Sequence, residues 1–286
     1  MRVVPLIFAA ALLVFAEHPG MLISPAELAK VMNAPGLVIL HVGSAEDYKA
    51  GHIPGARLIT IADLSVTDGR GLRVQLPPVE ELVRRLESVG VGDSSRVVIY
   101  PAGESVQSAT RVWFTLDYLG LGDRAALLDG GLPLWKKEGR ALSAAESAKV
   151  TDAHLTVRPN PARVVEADWL ASKANAADVK IIDARLPEFY DGSNAGGMPR
   201  AGHIPSAVNQ PFSEFFDKDH RFRPPAELRR MLEASTDQTV VTYCHIGMQA
   251  TVPYFVARYL GINVKLYDGS FQDWSRRSDL PVVNAH

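Results

Sequence analysis

The segment Val240-Val-Thr-Tyr-Cys-His-Ile-Gly-Met-Gln-Ala-Thr251 decides the fold, because it passes from a strand to a helix through a short loop. Val240 to Tyr243 are β-forming residues, and from about Gln249 the apolar residues recur at helical spacing. Cys244, the only cysteine of the chain, opens the loop. Loop N–H groups and the positive end of the following helix favour a nucleophilic thiolate there. This window alone is equally consistent with a small buried structural cysteine.

A duplication in the chain distinguishes the two interpretations. Three landmark segments occur twice, in the same order and with small differences in spacing. The pairs are Gly51-His-Ile-Pro-Gly-Ala56 with Gly202-His-Ile-Pro-Ser-Ala207, Val97-Val-Ile-Tyr100 with Val240-Val-Thr-Tyr243, and Asp129-Gly-Gly-Leu-Pro-Leu-Trp135 with Asp268-Gly-Ser-Phe-Gln-Asp-Trp274. A period this long predicts two homologous domains rather than a solenoid of short repeats. The residue after the tyrosine is Pro101 in the first copy and Cys244 in the second, so only the second copy has a nucleophile there.

These motifs, in this order, resemble the tandem-domain rhodanese family of thiosulfate and 3-mercaptopyruvate sulfurtransferases. The resemblance rests on Gly-His-Ile-Pro, the Cys-x-x-Gly loop after an apolar strand and the Asp-Gly-Ser-Phe-x-x-Trp segment, and extends from about Leu22 to Val283. It implies an α/β fold of two rhodanese-like domains, each a parallel β-sheet flanked by helices. It also implies an inactive N-terminal copy and a catalytic C-terminal copy whose cysteine carries sulfur as a persulfide.

Composition and local patterns independently favour this architecture. The chain has 286 residues, of which 47% are hydrophobic and 22% charged, a balance typical of a globular protein with two domains. Short apolar runs alternate with amphipathic helical stretches, which favours parallel sheets covered by helices. The predicted strands include residues 37–40, 97–100, 125–128, 179–182 and 264–267, and the predicted helices include residues 79–87 and 225–233.

The domain boundaries follow from the repeat and from a change in composition between the copies. We predict an N-terminal inactive domain over residues 21–140, a linker over residues 141–162 and a C-terminal catalytic domain over residues 163–286. The linker mixes Ala, Ser, Glu and Pro and lacks a core pattern. Within it, His154 to Arg158 is a candidate strand that docks back on a domain.

The first 20 residues have the layout of a signal peptide. Arg2 precedes an uncharged stretch of 14 residues, Val3 to Ala16, which is shorter than the roughly 20 residues of a membrane span. We therefore expect cleavage near Ala16 and a periplasmic or secreted protein without a stable membrane span. The alternative is translation from Met21, which would give a cytoplasmic protein. A single cysteine permits no internal disulfide and does not distinguish the compartments.

Sulfur transfer needs a thiolate and a site that stabilises the terminal sulfur of the persulfide. Cys244 is the candidate catalytic nucleophile. The candidate binding residues are those of the loop that follows, whose N–H groups can form an anion nest in which Gly247 relieves the backbone constraint. They are His245, Ile246, Gly247, Met248 and Gln249.

The identity of the sulfur donor depends on the cations near this loop. The resemblance implies a cationic pair in the loop for thiosulfate enzymes, whereas this loop has only His245, which is charged part of the time near neutral pH. Arg185 matches the family's Asp-x-Arg and is a candidate substrate-binding residue, because a guanidinium suits a carboxylate and a sulfonate equally well. Its alternative role is an ion pair with Asp183 or Glu188. Arg200 is a further cation that could reach the site.

His52 and His203 occur in both copies, including the copy without a nucleophile, so we assign them a structural role. A phosphatase with a related strand-to-loop cysteine needs an arginine six positions after it, and this chain has Ala250 there. The net charge of −2 and the pI near 6.5 make nucleic acid an unfavourable partner. Neither metal-ligand spacing nor a Gly-rich phosphate loop is present in the sequence, so we predict no cofactor.

The sequence therefore predicts a sulfurtransferase that takes sulfane sulfur from a small anionic donor, thiosulfate first and 3-mercaptopyruvate second. The acceptor would be cyanide or a thiol, reached through a persulfide on Cys244. The alternatives are a persulfide carrier or a non-catalytic rhodanese binding module that delivers sulfur to a protein partner.

Overall fold

The computed structural model describes residues 18–148, 150, 152–235 and 237–284. They form two five-stranded, all-parallel sheets with the same strand order. The first sheet has the order β1-β5-β4-β2-β3 and the second β6-β10-β9-β7-β8. The strands are β1 Leu22–Ile23, β2 Leu37–Val42, β3 Arg57–Ile59, β4 Arg96–Pro101, β5 Ala125–Leu128, β6 Val164–Val165, β7 Val179–Asp183, β8 Val208–Asn209, β9 Thr239–Tyr243 and β10 Val264–Tyr267. The predicted α/β architecture and its duplication are confirmed.

Helices flank both sheets. The α-helices are α1 Pro25–Val31, α2 Ala45–Ala50, α3 Val79–Ser88, α4 Val106–Tyr118, α5 Gly131–Lys137, α6 Ala167–Lys173, α7 Pro187–Tyr190, α8 Pro225–Leu232, α9 Thr251–Tyr259 and α10 Ser270–Trp274. Short 3-10 turns lie at Pro19–Met21, Ile61–Leu64, Gly122–Arg124, Pro161–Arg163 and Phe212–Phe215. All five predicted strand segments and both predicted helices are present. Central strands such as β4 and β9 are buried along nearly their whole length, which explains their continuous apolar sequences.

The two domains pack through α4 and α9, which follow the central strands of their respective sheets. The hydroxyls of Thr110 and Thr251 hydrogen-bond across the contact at 2.7 Å. The Asp117 carboxylate accepts a hydrogen bond from the Tyr254 hydroxyl at 2.7 Å and pairs with Arg258 at 3.0 Å. Because buried polar groups need partners from the other side, this contact holds the N-terminal domain in a defined position beside the loop that follows Cys244.

The segment after α5 returns to the N-terminal domain, but not as a strand. The Leu155 N–H donates to Glu87 Oε1 at 2.9 Å, and the Arg158 N–H donates to the Leu119 carbonyl at 3.1 Å. The expectation of a strand at residues 154–158 is wrong, because these partners are a side chain and the end of a helix rather than a sheet edge. The expected docking is confirmed, and Leu155 is buried.

The repeated histidines hold loops to the domain bodies, as predicted. His52 Nδ1 lies 2.7 Å from the Tyr48 carbonyl and His203 Nδ1 lies 2.7 Å from the Tyr190 carbonyl, with each imidazole stacked on the same tyrosine. The predicted leader spans residues 1–20, and its apolar stretch, residues 3–16, lies outside the described residues. Among those that are described, no helix is long and apolar enough to cross a membrane.

Candidate active site

Cys244 lies at the carboxyl end of the central strand β9, where parallel α/β sheets place their ligand sites. Cys244 is buried, with 1% of its surface exposed. The Cys244 carbonyl accepts the Phe271 N–H at 2.9 Å, and its own N–H donates to Ser270 Oγ at 3.3 Å. These two contacts attach the cysteine to the start of α10, in the Asp-Gly-Ser-Phe segment.

Ser270 is a functional residue that the sequence analysis missed. It has φ +53°, a left-handed backbone conformation that disfavours residues with a side chain, and its counterpart Gly131 has φ +56°. The Ser270 hydroxyl also donates to the Tyr267 carbonyl at 2.9 Å. A side chain is thus present at a strained position only in the copy where its oxygen contacts the cysteine. This one-residue difference between the copies was a readable signal.

The loop from Cys244 to α9 presents unused backbone donors. The N–H groups of five consecutive residues, 245–249, make no hydrogen bond within the described part of the chain. In the first copy, by contrast, the N–H of Ala102, next to Pro101, donates to the Val42 carbonyl at 2.9 Å. Successive free N–H groups in a loop before a helix favour an anion. Only the catalytic copy therefore combines a thiol with this concentration of unused donors.

Glycine is required at position 247. Gly247 has φ +84°, and a Cβ there would lie 2.9 Å from Asp268 Oδ1 and 3.2 Å from Arg111 Nη1. The carbonyl of Gly247 accepts a hydrogen bond from that arginine at 3.1 Å. The remaining loop residues, Ile246 and Met248, are half-buried. The loop is thus packed tightly against Arg111 and Asp268 at its turn.

Arg111, a second residue that the sequence analysis missed, comes from α4 of the N-terminal domain. Its Nη1 pairs with Asp268 Oδ1 at 2.5 Å, and its Nη2 donates to the Val74 carbonyl at 2.7 Å. Arg111 is 1% exposed. A charged residue directly before the apolar run Val112-Trp-Phe114 was the signal for a buried partner, but the sequence could not say which one. The silent domain thus supplies a side chain that holds the catalytic loop.

Arg185 lies beneath the loop, bound by an acidic neighbour. Its Nε and Nη2 contact the Asp183 carboxylate at 2.9 and 2.5 Å, and Nη2 also donates to the Gly202 carbonyl at 2.8 Å. Its guanidinium carbon lies 4.2 Å from the ring centre of Phe271. Burial opposes the charge, but Asp183 outweighs burial and raises the pKa of Arg185. The ion pair with Asp183, rather than with Glu188, is the geometry found.

His245 is uncharged at neutral pH. Burial, followed by the nearby charge of Arg185, lowers the pKa of His245 to about 4. The ring packs edge-on against Phe189, with 4.5 Å between ring centres. Its Nε2 and the Oε1 of Gln249 are buried atoms without a hydrogen-bond partner in the described chain. Both can serve polar atoms of a ligand, but neither contributes a positive charge.

Arg200 does not reach the site. Its guanidinium donates to four backbone carbonyls, those of Trp274, Ser275, Arg277 and Leu280, at 2.6 to 3.0 Å. The idea that Arg200 supplies a donor-binding charge is therefore wrong, since all its contacts fix the C-terminal segment. No cluster of three or more His, Cys, Asp or Glu side chains suited to a metal ion occurs among the described residues.

The first copy reproduces this frame without the reactive groups. Tyr100 and Tyr243 each accept a backbone N–H at equivalent places, from Ile53 at 3.0 Å and from Ile204 at 3.1 Å. In the sheet, His41 pairs with Tyr100 as Asp183 pairs with Tyr243. The first copy therefore lacks the acidic residue, the arginine and the cysteine of the second.

Fold and site together define a tandem α/β protein with one cysteine loop, and the chain belongs to the rhodanese-like domain family, whose model matches residues 24–138 and 166–277. It is 32% identical to a thiosulfate sulfurtransferase of Azotobacter vinelandii over 94% of this chain and 98% of that protein. It is 31% identical to the 3-mercaptopyruvate sulfurtransferase of Escherichia coli strain K12 over 88% and 89% of the two chains.

A solved structure shares the fold. The crystal structure of YnjE superimposes with a TM-score of 0.84 at 22% identity, covering 94% of this chain and 69% of that one. At this identity the likeness concerns the fold alone.

Proposed function

We propose that this protein is a sulfurtransferase that moves sulfane sulfur from thiosulfate or 3-mercaptopyruvate to cyanide or a thiol through a persulfide on Cys244. The observation that carries the proposal is the thiol placed at the start of five unused backbone N–H groups, in one of two otherwise parallel copies. Sulfurtransferases that use each of the two donors are among its relatives of about one-third identity.

The reaction proceeds by double displacement. The Cys244 thiolate attacks the outer sulfur of thiosulfate, the S–S bond breaks, and sulfite leaves with the electron pair. With 3-mercaptopyruvate the C–S bond breaks instead, and the pyruvate carbanion takes up a proton. In the second half, a nucleophilic acceptor attacks the outer sulfur of Cys–S–S⁻ and the Cys244 thiolate leaves. Oxidation states balance because one sulfur atom moves without its bonding electrons.

The loop residues have distinct roles in this scheme. The N–H groups from His245 to Gln249 stabilise the terminal sulfur of the persulfide, which is anionic in both halves of the cycle. Gly247 permits the turn, while Ile246 and Met248 shield the sulfur from water. The side chains of His245 and Gln249 hydrogen-bond the donor. Arg185 acts on the thiolate and the donor through its charge, since Asp183 occupies its Nε and Nη2.

The decisive experiment is the Cys244→Ala variant, assayed with thiosulfate and with 3-mercaptopyruvate against cyanide and a small thiol. We expect transfer to fall to the uncatalysed rate while the circular dichroism spectrum and unfolding midpoint stay close to those of the wild type. Incubation of the wild type with donor should add the mass of one sulfur atom, and the variant should not gain it. Retained activity in Cys244→Ala would refute the mechanism. Sulfur loading without transfer to cyanide or a small thiol would favour a carrier that serves a protein acceptor.

We further propose that the protein is exported and that the leader within residues 1–20 is cleaved near Ala16. The charged start and apolar centre of the leader support this proposal. Expression with the native leader, followed by fractionation and intact-mass measurement, tests it. We expect a periplasmic or secreted species that begins near Glu17. A cytoplasmic species that begins at Met1 or Met21 would contradict export.

A further inference from the structure

Both donors are anions, yet each of the two arginines at the catalytic loop is already paired with a carboxylate. Asp183 binds Arg185, Asp268 binds Arg111, and His245 is neutral near pH 7. Thiosulfate ends in a sulfonate and 3-mercaptopyruvate in a carboxylate, and each needs a cationic or N–H partner when it leaves water. An unpaired cation close to the loop would therefore add to the anion binding that the loop N–H groups provide.

Arg73 meets this requirement. It lies in the N-terminal domain, in the segment between the turn Ile61–Leu64 and α3. Its side chain is exposed and makes no hydrogen bond or ion pair within the described residues. Burial and Arg185 lower the pKa of His245 most, and the charge of Arg73 lowers it further.

The backbone of Arg73 is fixed to the catalytic domain. Its N–H donates to Gln272 Oε1 at 3.0 Å, and its carbonyl accepts from Gln272 Nε2 at 2.8 Å and from Gln75 Nε2 at 2.9 Å. The N–H of Gln272 in turn donates to the His245 carbonyl at 2.9 Å. One residue, Gln272, therefore connects the backbone of Arg73 to the loop that contains Cys244. Because the backbone of Arg73 is fixed, less conformational freedom is lost when its side chain binds a ligand.

The neighbouring arginine differs in a way that matters. Arg70, in the same segment, contacts the Asp68 carboxylate at 2.9 Å and approaches Asp273 at 3.8 Å. It is exposed like Arg73 but faces carboxylates, so its charge is locally compensated. Arg70 and Arg73 are thus two surface arginines three positions apart, and within the described residues only Arg70 is paired with a carboxylate.

We propose that Arg73, supplied by the silent domain, binds the anionic end group of the sulfur donor while Cys244 attacks the sulfur atom. This inference rests on the proposed sulfurtransferase function. The planar guanidinium fork matches the oxygens of a sulfonate and of a carboxylate, so it serves both donor classes. It also gives the N-terminal copy a direct part in catalysis, because the donor is held between the two domains.

The test compares Arg73→Ala and Arg73→Lys with Arg70→Ala as the matched control. We expect Arg73→Ala to lower kcat/KM for either donor about tenfold to a hundredfold, the range for a hydrogen bond to a charged group. The kcat/KM for cyanide should stay unchanged, because the persulfide is already formed in that half-reaction. Arg73→Lys should recover part of the loss, and Arg70→Ala should behave as the wild type. Comparison of thiosulfate with 3-mercaptopyruvate shows which end group depends more on Arg73.

Binding measured without turnover separates this inference from the proposed function. Calorimetry with sulfite and with pyruvate on Cys244→Ala, with and without Arg73→Ala, should show anion binding that the second substitution weakens. Equal binding in both proteins, or an equal loss in Arg70→Ala, would overturn the role of Arg73. A wild type that binds the anions through Arg73 but transfers no sulfur would refute the proposed function and leave this anion site standing.

Discussion

Removal of the Asp268 carboxylate should destabilise the protein strongly, because it leaves the Arg111 guanidinium buried and unpaired. The two side chains approach to 2.5 Å and are 1% and 7% exposed, so water cannot replace the lost partner. Asp268 Oδ2 also accepts the Leu76 N–H at 3.2 Å. The Asp268→Ala substitution therefore breaks contacts between two domains and the catalytic loop at once.

Loss of one member of a buried ion pair costs about 3–5 kcal/mol. We expect the free energy of unfolding of Asp268→Ala to fall by that amount in urea titrations monitored by tryptophan fluorescence. The matched control is Asp219→Ala, which removes the partner of Lys137 in another contact between the domains. That pair has side chains 65% and 21% exposed, so water can replace the lost partner and the free energy of unfolding should change far less.

A second variant tests the reason for the loss. In Asp268→Ala with Arg111→Met, the unpaired charge is gone, so part of the stability should return. A loss in Asp268→Ala below 1 kcal/mol, or equal to that of Asp219→Ala, would refute this account of the buried pair. A double variant whose loss in free energy of unfolding exceeds the sum of the two single losses would also refute it. Sulfur transfer should fall in Asp268→Ala and in the double variant, since Arg111 also donates a hydrogen bond to the Gly247 carbonyl.

Two further predictions concern the loop backbone and acid stability. Gly247→Ala should lower sulfur transfer more than tenfold, because its Cβ would meet Asp268. The control is Gly55→Ala, where φ is +79° and no atom lies within 4 Å of the added Cβ. This control should lose only about 1 kcal/mol of stability and no activity. Normal transfer in Gly247→Ala would contradict the packing argument. Burial and then the charge of His52 lower the pKa of His41 to about 4, so the unfolded chain binds more protons than the folded one and stability falls as pH drops from 6.5 towards 4. Between pH 7.5 and pH 5, His41→Gln should lose about 2 kcal/mol less stability in urea unfolding than the wild type, because the similar contribution of His245 is present in both proteins. An equal loss in both proteins would contradict this account.

The fold could be predicted to a large extent because its determinants are local or repeated. Strands such as β4 and β9 are buried along nearly their whole length and appear as short apolar runs. The duplication identified the domain plan, and the difference between Pro101 and Cys244 identified the copy with the thiol. The exception was the segment at residues 154–158, where a strand-like sequence docks on a helix end. Local pattern predicts an extended backbone there, but not the partner of its N–H groups.

The electrostatics of the site could not be predicted in the same way. The sequence does not distinguish Arg185, Arg200 and Arg111, but the structure gives them different partners. Arg185 is bound by a neighbouring carboxylate and Arg200 by four backbone carbonyls, whereas Arg111 is bound by Asp268 of the other domain. The charge that a guanidinium presents to a ligand depends on such partners and on burial. Of these three, only the partner of Arg185 is close in sequence, and it alone was foreseen as an alternative.

By itself, the sequence determined that this chain is a duplicated α/β protein with a single cysteine at the end of a central strand. Periodicity and internal repetition suffice for that, because secondary structure and burial leave regular traces along the chain. Only the tertiary structure decided that the N-terminal domain contributes Arg111 to the contacts of the Cys244 loop, and that the nearest histidine carries no charge. Those properties arise from groups far apart in sequence that share one low-dielectric space, where each charge is defined by what surrounds it.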